Sequence, residues 1–410
     1  MTKGLLLINP NSRVPSPYAA IEPPLWLGMI AGYHLAQGER VGIVDAEAED
    51  LTIEETAQWV IDLRPRETIV VVMGNNPSVS STPKMPVAQE LLKYISNHTP
   101  VKLTGLHPVA MDYPGAVKHP FEGCPSIPWN LLPMDKYKAH NWHCLENLGE
   151  RSPYGVLYTS LNCPFNCFYC NVHALYGDKH VRWRPWEDIA RDLMYFASHG
   201  IRNIKIWDEL FCWEKTRAEQ VLDFIWLNHL DFNIWAYAHV SCVNEFLLAK
   251  MKKAGMNWLA YGFESGRIEV RKKVHKGFTD STMQQAIQMT RDAGINIMAN
   301  FLFGLPGETE DDMKATLDFA LEQNFEYVNF YVALPYPGSP WYASLAEKSV
   351  NWASFNQFSP AICAAPQVVR FRDEAFQTYF SRPEYLSMVR RKFGIQAEAH
   401  IKEMLAWKIR

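Results

Sequence analysis

Apolar and polar positions follow one repeating rhythm along most of this chain: short apolar runs closed by turn residues trade places with amphipathic helical stretches. "GLLLINP" (4–10) reads as a buried strand, and "LWLGMIAGYHLAQG" (25–38) as a helix stopped at Gly38. "RVGIVDA" (40–46) is a second strand. "TIEETAQWVIDL" (52–63) is a helix capped by Thr52, with Glu55 three residues on. "TIVVVMG" (68–74) is a third strand, 87–98 a helix, and "VKLTGLHP" (101–108) a fourth strand. This alternation predicts a parallel sheet covered on both faces. Ligands of such sheets sit at the carboxyl ends of the strands, here the loops Asn9–Asn11, Asp45–Ala46, Gly74–Thr82 and Gly105–Pro108.

Residues 109–150 lose the rhythm. They are rich in proline and aromatics ("IPWNLLPMDKY", "AHNWHC") and read as a linker packed across a domain junction. The prolines 108, 114, 120, 125 and 128 speak against a hidden regular element there. Alternation resumes with strands over 155–161, 203–208, 233–239, 257–263, 295–303 and 326–333. The helices between them cover 185–198, 215–227, 244–254, 279–293 and 309–323. Six βα units of one hand predict an open or closed barrel. Residues 336–410 are mostly helical and read as a cap. The expected organisation is α/β throughout: a sheet domain over 1–118, a linker over 119–150, a partial (β/α)6 barrel over 151–335 and a helical region over 336–410.

Composition narrows the class. The chain is 48% apolar with a net charge of −4, enough for sizeable cores and without the footprint of a nucleic-acid binder. The densest basic run, "RKKVHK" (271–276), reads as a solvated helix face. No stretch reaches the ~18 apolar residues of a membrane helix, and the first residues are too short an apolar run for a signal peptide. The expectation is a cytoplasmic protein, in which thiols stay reduced.

The chemistry is concentrated in one place. The chain has eight cysteines in 410 residues, and "SLNCPFNCFYC" puts Cys163, Cys167 and Cys170 directly after the first barrel strand. A structural zinc site wants four ligands, and the nearest further candidates are His173 and the group His140, His143, Cys144. A redox dithiol would leave Cys163 unexplained. A [4Fe–4S] cluster takes one thiolate per iron, so three thiolates leave one iron open, and the C-x3-C-x2-C spacing favours this reading.

"CPFNCFYC", "IWDELF" (206–211), "YGFESG" (261–266) and "FGLPGET" (303–309) stand in order at successive strand ends. With them the chain resembles the radical S-adenosylmethionine (SAM) superfamily over residues 151–335. The resemblance implies that the open iron chelates SAM and that one electron cleaves it to methionine and a 5′-deoxyadenosyl radical, which abstracts hydrogen from a substrate. By position it makes Cys163, Cys167 and Cys170 the cluster ligands and sets Tyr169 beside the adenine. Asp208 and Glu209 stand where many members carry Gly-Gly-Glu; Glu264 meets the cofactor's ribose or amino-acid end. Gly304 and Pro306 shape the adenine site, and Asn300 is counted among the cofactor contacts. Local readings stand beside these: Asp208 and Glu209 as caps of the next turn, Glu264 as a helix start, Pro306-Gly307 as a plain turn. Tyr237, His239 and Tyr331 are barrel-mouth candidates for chemistry, with packing as the alternative.

The first domain resembles the Rossmann-like, cobalamin-binding (B12-binding) domain that precedes many such barrels, but it lacks an Asp-x-His-x-x-Gly signature. It also runs from "TGLHP" almost directly to "IPWNLLP", without the further strand and helix of its relatives. The expectation is therefore a trimmed domain that covers the barrel without cobalamin. The enzyme expected is one that abstracts hydrogen from a small organic molecule, for dehydration, epimerisation, oxidation or rearrangement. Its partners would be that substrate and a one-electron donor such as flavodoxin or ferredoxin. Alternatives are a cobalamin-dependent radical SAM C-methyltransferase, a nucleic-acid-modifying member of the superfamily, and a non-catalytic iron–sulfur electron carrier.

Overall fold

The computed structural model describes residues 4–12, 16–113, 116, 126–348, 350–357 and 365–407. Prolines 114, 120 and 125 of the linker lie outside them.

The first domain runs β1 (Leu5–Asn9), α1 (Leu25–Ala36), β2 (Val41–Asp45), α2 (Ile53–Leu63), β3 (Glu67–Val71), α3 (Pro77–Ser81), α4 (Lys84–Ile95), β4 (Val101–Thr104) and α5 (Leu106–Ala110). The sheet is parallel, in the order β2-β1-β3-β4. Alternate residues of β1 face opposite ways, so Leu5 and Leu7 bury against α1 while Leu6 and Ile8 bury with Ala57, Val60, Ala88 and Leu91 of α2 and α4. Thr52 and Glu55 form the expected capping box. The fourth strand is shorter than the sequence implied. It ends at Thr104, because Gly105 turns the chain at φ +112°, where a Cβ would run into the Val72 carbonyl oxygen. The apolar residues after it, expected as strand, coil into α5.

The second domain runs β5 (Tyr154–Leu157), β6 (Ser160–Leu161), α6 (His173–Tyr176), β7 (Arg182–Trp183), α7 (Trp186–Ser198), β8 (Asn203–Ile206), α8 (Lys215–Leu227), β9 (Asn233–Ala238), α9 (Glu245–Lys253), β10 (Met256–Glu264), α10 (Ile268–Lys273), α11 (Asp280–Asp292), β11 (Asn296–Phe303), α12 (Glu310–Gln323) and β12 (Tyr327–Val332). Six parallel strands in the order β12-β11-β10-β9-β8-β5 make a partial barrel whose end strands do not pair. The expected strand 155–161 is two: β5 stops at Leu157, and β6 pairs antiparallel with β7 instead.

The linker closes the amino end of the barrel. Trp142 stands 5.0 Å from Trp235, 5.3 Å from Trp258 and 6.0 Å from Tyr327. His143 beside it donates from Nε2 to the Asn233 carbonyl, and burial holds His140 and His143 neutral, near pKa 3. These groups plug the barrel. Arg151 fans into the carbonyls of Pro17, Tyr18, Ala19 and Ala139, tying linker to first domain. The helices α13 (Pro340–Ser344), α14 (Pro366–Ser381), α15 (Pro383–Phe393) and α16 (Ile395–Ala406) follow. Tyr379 and Tyr385 donate to the carbonyls of Phe325 and Glu326 at the start of β12, and Phe393 stacks on Trp258. The last helices thus support the amino end of the barrel, while the start of α14 reaches the carboxyl end, where Phe371 meets Phe303 edge-on at 4.9 Å.

Candidate functional site: a cysteine loop at the barrel mouth

The three-cysteine loop leaves β6 at Asn162, which takes φ +79°. Its side-chain amide donates to Asp178 and to the His180 carbonyl, its Oδ1 accepts from the Cys163 amide, and His173 reaches both Asn162 and the Phe165 carbonyl. His173 is thus a brace of the loop. A second brace comes from the turn after α10, where the Phe168 amide donates to the Val274 carbonyl. His239 stacks on Phe165 at 4.5 Å and accepts from the Ser241 amide. Burial pushes its pKa down to about 3, so it is a neutral wall of the loop.

Burial, and then neighbouring ionisable groups, push the Cys163 and Cys170 thiols up to about 12. Protein alone thus disfavours thiolates here, and bound iron must stabilise them. Among the described residues no three ligand side chains close around a single-ion site. Three thiols on one loop, each able to take its own iron, are a donor set of the kind that a cube cluster uses.

Next to the thiols lies a second polar group. Tyr169 donates its hydroxyl to Glu264 Oε1 at 2.8 Å, and Lys276 Nζ meets the same oxygen at 2.7 Å. Glu264 is held at φ +65°, at a bulge where β10 loses register with β11. A side chain in that conformation costs energy that its bonds must offset. Burial pulls the Lys276 ammonium down, but Glu264 and Cys167 overcome it and hold the charge above its ordinary range. Glu209 lies on the other side of the loop, accepting from the Asn162 amide and from Tyr176; burial pushes it up to about 7.

The other candidates separate from this group. Asp208 accepts from the Thr159 amide and hydroxyl and from the Ser160 hydroxyl at 2.5–2.6 Å, a knot that turns the chain between β5 and β6. Asn300 bonds Tyr261 and Asn329 inside the barrel. Gly304, at φ +85°, packs on Val368, and its amide and that of Leu305 donate to Glu308; half-buried Pro306 follows. Tyr237 and Tyr331 line the lumen within electrostatic reach of each other, Tyr237 also of Glu22 and Tyr331 of Glu264. Lys276, the strongest charge beside the thiols, was read from sequence as part of a solvated face. Only the fold of α10, which returns the chain to the cysteine loop, distinguishes it from Lys272 and Lys273.

The family model of the radical SAM superfamily matches residues 157–320. The second domain is thus a radical SAM domain, and the parallel sheet before it is consistent in fold with a B12-binding-like domain. It is 26% identical, over 94% of both chains, to an uncharacterized methyltransferase of Pyrococcus horikoshii. It is 26% identical to the cytidylyl-2-hydroxyethylphosphonate methyltransferase of Streptomyces wedmorensis, over 52% of this chain and 41% of that one. Among solved structures, the radical SAM methyltransferase TsrM of Kitasatospora setae, with cobalamin and a [4Fe–4S] cluster bound, superposes with a TM-score of 0.66 at 19% identity, over 83% of this chain and 77% of TsrM. The cobalamin-dependent enzyme OxsB, with aqua-cobalamin bound, gives 0.65 at 14% identity, over 98% and 72%. The sequence-based expectation of a dehydrating, epimerising, oxidising or rearranging enzyme is overturned: the similar proteins are mainly methyltransferases, methylthiotransferases and cobalamin-dependent radical SAM enzymes.

A corrin between the two domains would have to lie along the carboxyl edge of the first sheet. At β4 that place is taken. The seam between α5 and α6 is tight enough that a Cβ on Gly338 would stand 3.0 Å from Ala110 and 2.6 Å from Ala174. At β1 and β2 the polar groups satisfy one another: Asn9 bonds Asp45, and Lys84 bonds Asn9, the Pro10 carbonyl and Glu47. In this closed arrangement the described part of the edge is filled by the chain's own groups, so cobalamin fits there only if the seam opens.

Proposed function

We propose that this chain is a radical SAM methyltransferase of the cobalamin-dependent class. The observation that carries the reading is a match to a methyltransferase over nearly the whole of both chains, joined to a two-domain fold shared with TsrM. Cys163, Cys167 and Cys170 would hold the cluster, which would supply the electron that activates SAM. The chain's own groups then bind and orient the cofactor. Lys276 offers its ammonium to the methionine carboxylate, Glu264 and Glu209 face its amino group and ribose, and Tyr169 and the Gly304–Pro306 turn border the adenine. The methyl-accepting molecule is a small organic compound held in the lumen near Tyr237 and Tyr331, and reduction comes from a one-electron carrier protein. Cobalamin, if it enters between the domains, requires α5 to part from α6.

The test uses anaerobically reconstituted protein, hydroxocobalamin, dithionite, SAM labelled with deuterium in its methyl group, and a small-molecule extract of the source organism. Wild type should hold about four irons and place the label in a new methylated compound. Cys163→Ala should lose the iron; Lys276→Met should keep the iron and lose SAM turnover. Turnover to 5′-deoxyadenosine with no labelled product would refute the reading.

A further inference from the structure

One charged pair inside the barrel has no part in the site above. Lys205 points inward from β8, opposite Trp235 of β9 in register, and is 1% exposed. Its ammonium lies 4.7 Å from the centre of the Trp235 ring and 5.5 Å from that of Tyr237. Two of its neighbours come from the first domain: both carboxylate oxygens of Glu22, at 3.2 and 3.3 Å, and the Asn75 carbonyl, at 2.7 Å. Glu22 belongs to the strip before α1 that crosses to the barrel, and the Asn75 side chain pins that strip through the Pro23 carbonyl.

As architecture this pair is poorly motivated. Burying two charges costs more than their attraction commonly returns, and an apolar side chain would suit the aromatic wall equally well. As a binding site it is well formed. The rings hold the cation by their faces, the ammonium is buried, and a few polar groups converge on it among aromatic side chains. Lys205, Tyr237, Tyr331 and Glu264 follow one another within electrostatic reach along the lumen, which joins this cation to the proposed SAM site.

We propose that Lys205 anchors a carboxylate on the methyl-accepting substrate, and that Glu22 occupies the place of that carboxylate until the substrate arrives. This rests on the lumen being the substrate chamber of the proposed methyltransferase. The chemistry of the ligand is read from the placeholder: Glu22 presents both oxygens to Lys205, so the site already accepts a carboxylate in that orientation. Glu22 is borne on a segment of another domain and keeps 14% of its side chain exposed, so it can withdraw without disturbing the barrel strands.

The test is direct binding, without turnover. Reconstituted protein is titrated with phenylacetate and, as the uncharged match, phenylacetamide. Binding is read from tryptophan fluorescence, to which Trp235 reports, and from the melting temperature. Glu22→Gln removes the competing carboxylate and should tighten phenylacetate binding at least about tenfold over wild type. Lys205→Met, which keeps an apolar side chain of similar length, should abolish it, as should Lys205→Gln. Phenylacetamide should bind none of them measurably. Absence of phenylacetate binding in Glu22→Gln, or equal binding in a folded Lys205 variant, would overturn the proposal. Because no methyl transfer is read, failure of the methyltransferase assay and failure of this titration are separate results.

Discussion

At the scale of single residues, the site depends on groups displaced from their ordinary protonation. Glu308 is an example outside the cysteine loop. It gathers the Gly304 and Leu305 amides and so shapes the turn after β11, yet burial pushes its carboxyl up to about 7. A carboxyl whose folded pKa lies above its unfolded value stabilises the fold when protonated. That contribution is present below the unfolded value and is lost as pH rises through about 7. Wild type should therefore lose more melting temperature between about pH 5 and 8 than Glu308→Gln, which stays neutral; equal slopes would show that Glu308 does not titrate in this window. Residue-scale legibility was uneven. Cys163, Cys167 and Cys170 stand out in the sequence because a single loop holds them at cluster spacing. Lys276 and the Glu22–Lys205 pair could not, because each acquires meaning only from a partner far along the chain, 183 positions away in the second case.

At the scale of elements, periodicity located the strands and helices well wherever one face is buried and the other wet. It erred where apolar residues continue past a turn. "LHPVA" is as apolar as the strand before it, and only the backbone at Gly105 makes it a helix. The split of β5 from β6 was hidden for a similar reason, since Thr159 and Ser160 are ordinary strand residues until Asp208, on another strand end, collects them. The linker had no periodic signal, yet it holds a main packing element. Trp142, 4% exposed among three aromatic rings, fills a space that no neighbour can enter. Trp142→Ala should cost about 3–5 kcal/mol in urea unfolding. Trp59→Ala, at a side chain 51% exposed, should stay within about 0.5 kcal/mol. Similar losses at the two positions would show that the amino end of the barrel closes without its plug.

At the scale of the whole molecule, no described helix is long and apolar enough to cross a membrane, and the seam between the domains governs access for a large cofactor. If cobalamin is the methyl carrier, the reconstituted protein should retain hydroxocobalamin at about one per chain after desalting. Its radius of gyration by X-ray scattering should grow as α5 leaves α6. Retention at unchanged dimensions would place the corrin elsewhere, and failure to retain it would remove cobalamin from the reading. How far the seam can open is limited by the chain after β12. Val332, Leu334, Tyr336, Trp352 and Phe355 bury in the same core as Leu6, Ile8, Val70 and Leu103 of the first sheet. The barrel's last strand and the segment that follows it thus complete the other domain's interior. Neither half is a module that could be excised or exchanged intact: a cut at the linker would leave the sheet without part of its apolar filling and the barrel with a greasy tail. Shuffling such barrels between proteins would have to carry this segment with the sheet that it fills.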